Sequence, residues 1–296
     1  MAPLVSYLFV VLLVSLWLST LAVAHGTNLP SVEQLLQPQL LQQLRQLSHR
    51  PQVAIIIDDL GDNLREGQQA IGLPGALTYA ILPHTPHAEA LAILAHCSNK
   101  EVMLHQPMEA LNGKRMGPGG IDSAMDRTTM LNTLQQNLRS VPYARGVNNH
   151  MGSRLTSSEA SMEQFMQLLA QLRPQLYFID SRTTADTVAL LSAKRHQIAS
   201  TRRNIFLDHT PTEGAITQQF MRLIAHLARE GSAIAIGHTY PQTTAALKQL
   251  LPLLDYLGIE LVATSRLIET QQRRDPLWQA SLSRSPPAAN SLKPSP

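Results

Sequence analysis

Val53-Ala54-Ile55-Ile56-Ile57 is an apolar, mostly β-branched run that stops abruptly at Asp58-Asp59-Leu60-Gly61. Such a run reads as a strand buried on both faces, an environment found in parallel sheets and barrels covered by helices. Two carboxylates then fall at the strand's C-terminal end, where α/β proteins place their chemistry. Adjacent carboxylates repel each other and resist burial unless a cation, a proton or strong donors compensate. An Asp-x-Gly turn is the plainer alternative for the same residues.

The rest of the chain repeats the theme. Apolar runs at 77–82, 101–105, 146–150, 176–180, 204–208, 233–238 and 259–264 alternate with helical stretches at 64–71, 88–98, 130–141, 158–171, 185–197, 216–230 and 243–256. Thr156-Ser157-Ser158-Glu159 opens one of these helices as an N-cap sequence. Repeated βα units predict an α/β fold, a TIM-like (β/α) barrel of seven or eight strands. A doubly wound open sheet fits the same periodicity, because periodicity does not reveal closure.

The 296 residues, 44% of them hydrophobic, suit one large α/β domain or two small ones. The net charge of +3 comes from scattered Lys and Arg, and aromatics make up 4%. That pattern argues against a nucleic-acid partner, which calls for a basic stripe or stacking platforms. Residues 1–24 read as a signal peptide ending at Ala22-Val23-Ala24, or as an uncleaved anchor, since Leu4 to Val23 carries no charge. Either version delivers the following domain across a membrane, so a periplasmic or secreted location is expected. Membrane contact is expected only through an uncleaved segment. Residues 25–50 form a polar, Gln- and Leu-rich helical spacer interrupted by Pro38. The (β/α) domain is expected over 51–270, and the Ser/Pro/Ala-rich stretch 271–296 is expected to be disordered. The single cysteine, Cys97, excludes an intrachain disulfide and reads as a small buried residue on a helix.

Most apolar runs end in ionisable residues: Asp58 and Asp59, His84 and His87, His105 and Glu109, His150 and Arg154, Asp180 and Arg182, Asp208 and His209, and His238. In a barrel these ends share one rim. Carboxylates and imidazoles are ligands for Zn²⁺ and also suit Fe, Mn or Co. One carboxylate of the Asp58-Asp59 pair could coordinate such an ion while the other accepts a proton, and His238 could protonate a leaving group. Plainer readings exist for several of these residues. Asp180 pairs with Arg182, His84 and His87 pack at a Pro-rich turn, Asp208-His209 caps a loop, and Arg154 is a surface charge.

The phrases IIIDDLGDN, LHQPME, GVNNHMGSRLT, FIDSRTT, IFLDHT and AIAIGHTYPQT, in this order, resemble the divergent polysaccharide deacetylase family, distant relatives of NodB-type carbohydrate esterases. The likeness covers about residues 51–268 and implies a NodB-like deformed (β/α) barrel with a divalent metal, Zn first and Co, Mn or Fe as alternatives. By position in the Thr-Phe-Asp-Asp-Gly motif of NodB proteins, Asp58 corresponds to the general base and Asp59 to a metal ligand. His105 matches the first His of a His-x-x-x-His ligand pair, but Glu109 stands where the second belongs. Either Glu109 or His150 is implied as the third ligand. His238 matches the general acid, and Asp180 corresponds to an orienting Asp. Asn149, Arg154 and Arg182 are the candidate substrate contacts on the same rim. The implied function is a metal-dependent hydrolase that N-deacetylates an acetylated sugar polymer of the cell envelope, peptidoglycan or another glycan. The alternative is a catalytically inactive carbohydrate-binding or envelope-scaffolding protein of the same fold.

Overall fold

A computed structural model describes residues 38–274 of the chain. The expected export segment, and the tail beyond 274, lie outside the described residues. In chain order the elements are α1 (Pro38–Gln46), β1 (Gln52–Leu60), α2 (Leu64–Ile71), β2 (Thr78–Ile81), α3 (Ala88–Cys97), β3 (Glu101–Met108), α4 (Arg127–Ser140) and β4 (Ala144–Met151). A 3₁₀ turn (Leu155–Ser157) follows, then α5 (Glu159–Leu172), β5 (Tyr177–Asp180), α6 (Ala189–Arg195), β6 (Ser200–Arg202), β7 (Ile205–Phe206), α7 (Glu213–Glu230), β8 (Ser232–His238), α8 (Pro241–Tyr256), β9 (Glu260–Leu261) and α9 (Thr264–Arg274). Ser158 caps α5 through a bond accepted from the Ser161 amide, as the sequence suggested.

All pairings are parallel, in the order β6-β5-β4-β3-β2-β1-β8-β7, with β9 added beside the start of β1. The two ends of this path, β6 and β7, are consecutive in the chain. Arg203 N–H still bonds back to Asp180 on β5, whereas Asn204 N–H bonds to Ile234 on β8. The segment 200–206 therefore closes the barrel by changing neighbours halfway along, with no helix between its halves. The expectation of one run at 204–208 missed its first half, since Ser200-Thr201-Arg202 carries no apolar signal.

Two apolar layers follow from the two-residue period of the strands. Ala54, Ile56, Ala80, Met103, Tyr177, Ile179, Ile234 and Ile236 fill the barrel interior. Val53, Ile55, Ile57, Val102, Leu104, Val147, Phe178, Ala233 and Ala235 face the helices outside. Leu44 of α1 joins the outer layer, so part of the expected spacer is folded onto the domain. Cys97, expected to be buried, lies exposed at the end of α3. The helix buries Ala88, Leu91, Ala92 and Ala95 instead, and Cys97 falls off that stripe.

At the floor of the barrel, α9 inserts Leu267 and Ile268 into the interior cluster. This anchoring carries α9 past the boundary expected at 270. Glu101, at the inward-facing start of β3, fastens it. Its Oε1 accepts bonds from Thr78 Oγ1 (3.1 Å), Tyr177 OH (2.7 Å) and the Ser265 amide (3.0 Å), and Ser265 Oγ binds its Oε2. A carboxylate at the first turn of α9 also meets the positive end of the helix dipole. Replacing Glu101 by Ala strands four donors, of which the two buried hydroxyls of Thr78 and Tyr177 each cost about 1–3 kcal/mol. The variant is expected to lose about 3 kcal/mol or more, read as a lower urea midpoint in equilibrium unfolding.

Candidate metal centre

The same period that builds the core sorts the polar residues at the opposite end. Counting on from the inward-facing residues, Asp58, His105, Asn148, His150 and His238 all point into the mouth of the barrel, while Gln106, Asn149 and Asp180 face the helices. Asp59 should face outward too. It does not, because it adopts a left-handed backbone (φ +62°), and the β1–β2 register slips between Ile57 and Leu60. Asp tolerates this conformation better than most residues. The bulge turns both carboxylates of the pair toward one imidazole: His105 Nε2 stands 3.0 Å from Asp59 Oδ1 and 3.6 Å from Asp58 Oδ2.

Three potential ligand atoms converge. Asp59 Oδ1, His105 Nε2 and His150 Nδ1 form a triangle with edges of 3.0, 2.9 and 3.2 Å. A tetrahedral ion with bonds of about 2.0–2.1 Å spaces its ligands about 3.3 Å apart. Asp59 Oδ1 is buried and makes no bond of hydrogen-bond geometry despite its two neighbours. Three lone-pair atoms aimed at a shared point, one of them orphaned, fit a divalent cation. A surrounding relay reinforces the fit. Asn148 Nδ2 donates to Asp58 Oδ1 (2.8 Å), so its Oδ1 is left to accept from His105 Nδ1 (2.8 Å). That places the His105 proton on Nδ1 and leaves Nε2 free to ligate, the usual role of an outer-sphere partner.

The electrostatics suit a cation. Burial works against the Asp59 anion, but the His105 and His150 rings overrule it and hold the carboxyl well below the usual range. Burial pushes the Asp58 carboxyl up, only partly offset by His105 and His238. Burial also opposes the charged His105 ring, yet Asp58 and Asp59 raise its pKa.

His238 is the strand neighbour of Asp58 in the β1–β8 ladder. Its Nδ1 donates to Asp208 Oδ1 (2.9 Å), and its Nε2 lies 3.8 Å from Asp59 Oδ2. Asp208 is held by the His238 amide (2.6 Å) and Thr243 Oγ1 (2.7 Å). Burial disfavours the His238 cation, but Asp208, with help from Asp58 and Asp59, pushes its pKa up to about 9.

The remaining candidates lie elsewhere. Glu109 is not at the trio; its carboxylate binds Arg154 Nε (3.3 Å) and the Ser123 amide and hydroxyl (3.0 and 2.6 Å). The strand has ended at Met108, and the Glu109 amide turns away to Ile121. Arg154 is thereby occupied at the exposed rim. Asn149 spends both ends of its amide internally, on the Ser181 amide and the Met151 carbonyl. Asp180 accepts from the Arg182 amide and Thr187 Oγ1, which fixes the turn after β5 rather than reaching the trio. Arg182 is exposed on that turn, with a left-handed backbone (φ +50°). Two residues of the site were not among the candidates. Asn148 could have been found by counting parity from Val147. Asp208 carried the general signal of a polar strand end, but nothing local links it to His238.

A family model described as divergent polysaccharide deacetylase matches residues 55–268. The chain is 37% identical over 220 residues to the uncharacterized protein YibQ of Escherichia coli K12, covering 74% of this chain and 68% of that protein. An uncharacterized protein of Haemophilus influenzae is 32% identical over 242 residues, covering 82% and 85%. Among solved structures, an uncharacterized protein of Agrobacterium tumefaciens C58 superposes with a TM-score of 0.71 at 23% identity, over 77% of this chain and 94% of that one. At that identity the likeness speaks to the fold, which is the deformed (β/α) barrel that the motifs implied.

Titrating Zn²⁺ into the protein by calorimetry tests the trio. His150→Ala is expected to abolish binding, and Asn148→Ala to weaken it about 10- to 100-fold by freeing the His105 tautomer. Glu109→Gln is expected to leave affinity unchanged. Because His105 has a raised pKa and must shed a proton to ligate, affinity should fall as pH drops.

Proposed function

The chain belongs to the divergent polysaccharide deacetylase family, and we propose that it is a metal-dependent hydrolase removing acyl groups from an N-acylated glycan of the cell envelope. The observation that carries this reading is the pairing of a cation-ready Asp59–His105–His150 trio with a buried carboxylate on one side and a protonated imidazole on the other. Export through residues 1–24, to the periplasm or beyond, is part of the same proposal and would bring the domain to such a glycan.

A divalent ion bound by the trio, Zn²⁺ first among the candidates, would supply Lewis-acid polarisation of the acyl carbonyl and acidify the attacking water. The chain's own residues handle the protons. Asp58 takes one from the water as its oxygen bonds to the carbonyl carbon. Its raised pKa makes it a stronger base than an exposed carboxylate, and the Asn148 bond fixes its direction. His238 then delivers a proton from Nε2 to the departing nitrogen as the C–N bond breaks, which leaves a free acid and an amine. Asp208 is a positioning residue: by accepting from Nδ1 it keeps the other nitrogen facing the reaction and holds the ring charged at neutral pH.

Two measurements test the reading. Asp58→Asn is expected to abolish acetate release from N-acetylated oligosaccharides while retaining Zn²⁺. The pH profile gives the second. A His238 with its pKa near 9 is a competent acid below that value, so activity should fall as pH rises through about 9. Asp208→Asn should move that alkaline limb down toward the ordinary histidine value of about 6.5. Zn²⁺ tightly bound without any acyl hydrolysis would overturn the proposal in favour of a binding protein.

A further inference from the structure

The end of the barrel away from the centre carries a charge pattern of its own. The helices run back from mouth to floor, so their last turns and the linkers into the next strands gather there. First turns near the mouth hold acids, Glu66, Glu89, Glu159 and Glu213. At the floor beneath β3, β4 and β5 the sign reverses. Residues 94–100, 137–145 and 169–176 contain no Asp or Glu, and they bring in Lys100, Arg139, Arg145 and Arg173. Cations that are scattered in the sequence are thereby collected on one face. The three arginines are exposed, and none of them pairs with a carboxylate among the described residues. Glu101, the acid that starts β3, is buried and already bonded to Thr78, Tyr177 and Ser265.

Helix dipoles account for part of this pattern. Arg139 lies in the last turn of α4 and Arg173 at the end of α5, where a cation meets the negative end of the dipole. They do not account for Arg145, which lies inside β4. Nor do they account for Tyr143. That residue is 51% exposed within the basic sector, on a left-handed backbone (φ +64°) that a bulky side chain rarely adopts. Its ring lies flat on that of His96, with 3.9 Å between centroids and 4° between planes. A strained backbone thus holds an aromatic ring at the surface instead of in the core. Amphipathic rings flanked by cations settle at the headgroup level of bilayers. The chain also enters the domain from this end. Leu41, Leu44 and Arg45 of α1 line one cavity with Tyr256, Leu257 and Gly258 at the end of α8. Upstream of α1 the sequence holds the uncharged stretch Leu4 to Val23.

We propose that the floor beneath β3, β4 and β5 docks on a bilayer that contains anionic phospholipids. Lys100, Arg139, Arg145 and Arg173 meet the lipid phosphates, and the Tyr143 ring rests among the headgroups. This is a membrane contact of the folded domain, separate from the one expected of an uncleaved N-terminal segment. A soluble anionic polymer would satisfy the cations but would leave the exposed ring and the side of chain entry without a role. Docked in this way, the domain turns its mouth away from the lipid. The inference stands on the floor alone and does not rest on the chemistry assigned to the mouth.

Cys97 provides the test. It is the single cysteine, exposed at the end of α3 next to His96, so a solvent-sensitive fluorophore attached there reports contact at this face. The full chain, labelled at Cys97, is titrated with vesicles of phosphatidylcholine, alone or with about 30% phosphatidylglycerol, at about 0.1 M salt. The emission is expected to shift to the blue with the anionic vesicles only. The shift should vanish at about 1 M salt, where screening cuts the reach of the charges to about 3 Å. Insertion of the apolar Leu4 to Val23 stretch does not depend on lipid charge, so it does not produce this difference. Arg139→Gln, Arg145→Gln and Arg173→Gln combined should raise the lipid concentration at half-shift about tenfold or more, and Tyr143→Gly about threefold or more. Glycine relieves the left-handed backbone as it removes the ring. Lys114→Gln with Arg115→Gln, in the loop after β3 on the mouth side, should leave the titration unchanged. These are all exposed positions, and unchanged urea midpoints are expected for every variant. An equal response to both vesicles, no response to either, an unchanged titration in the triple variant, or an equal loss in the mouth variant would overturn the proposal. A response to soluble polyphosphate without one to the anionic vesicles would overturn it in favour of a polymer.

Discussion

Everything in this molecule hangs on the alternation of side chains along parallel strands bent around a common axis. Once Ile56, Met103, Ile179 and Ile236 have committed one face of each strand to the barrel interior, the direction of every residue further along is decided. The apolar period fills the lower barrel, and the same period, carried two residues onward from Ile56, Met103 and Ile236, delivers Asp58, His105 and His238 to its mouth, while on β4 Asn148 and His150 take the face opposite the outward Val147. The polar residues need no separate positioning device, because the hydrophobic core aims them.

One residue departs from this rule, and the centre depends on the departure. A regular strand would send Asp58 and Asp59 to opposite faces. The left-handed backbone at Asp59 and the register slip beside it bring both carboxylates to His105. Backbone conformations of this kind cost energy and persist where the surroundings over-determine them. Here the surroundings are two neighbouring ladders and two imidazoles. The strain is offset within the centre itself, where the bulge assigns the two acids different environments. Asp58 stays buried against Asn148, while Asp59 is one-third exposed between the histidines.

How much of this was legible in the sequence follows from the same physics. The alternation of apolar runs and helices announced the α/β barrel, and the polar strand ends announced the rim. Parity within each run was readable too, and it separates Asn148 from Asn149, but with both faces of the runs apolar only the structure says which parity faces the interior and so turns Asp180 away from the centre. The third member of the Asp59–His105–His150 trio was not readable. His105 and Glu109 share a parity, and only the end of β3 at Met108, followed by the turn of the Glu109 amide to Ile121, removes Glu109 from the mouth. The partnership of Asp208 with His238 was hidden for another reason. It depends on which strands are neighbours around the barrel, and no local pattern encodes that order. Nor did composition reveal the closing segment, whose first half is polar.

That closing segment divides the barrel mechanically. A closed barrel resists widening through a continuous hoop of ladder bonds, and here the hoop runs on through β1, β2, β3 and β4, three of which bear the converging atoms of Asp59, His105 and His150. At 200–206 it is spliced, with three residues joined to one neighbour and two to the other. The wall carrying Phe206 and, just beyond it, Asp208 and His209 is thus tied to the barrel by shorter ladders than the wall that carries Asp59, His105 and His150, and Asp208 compensates through its own bonds to His238 and Thr243.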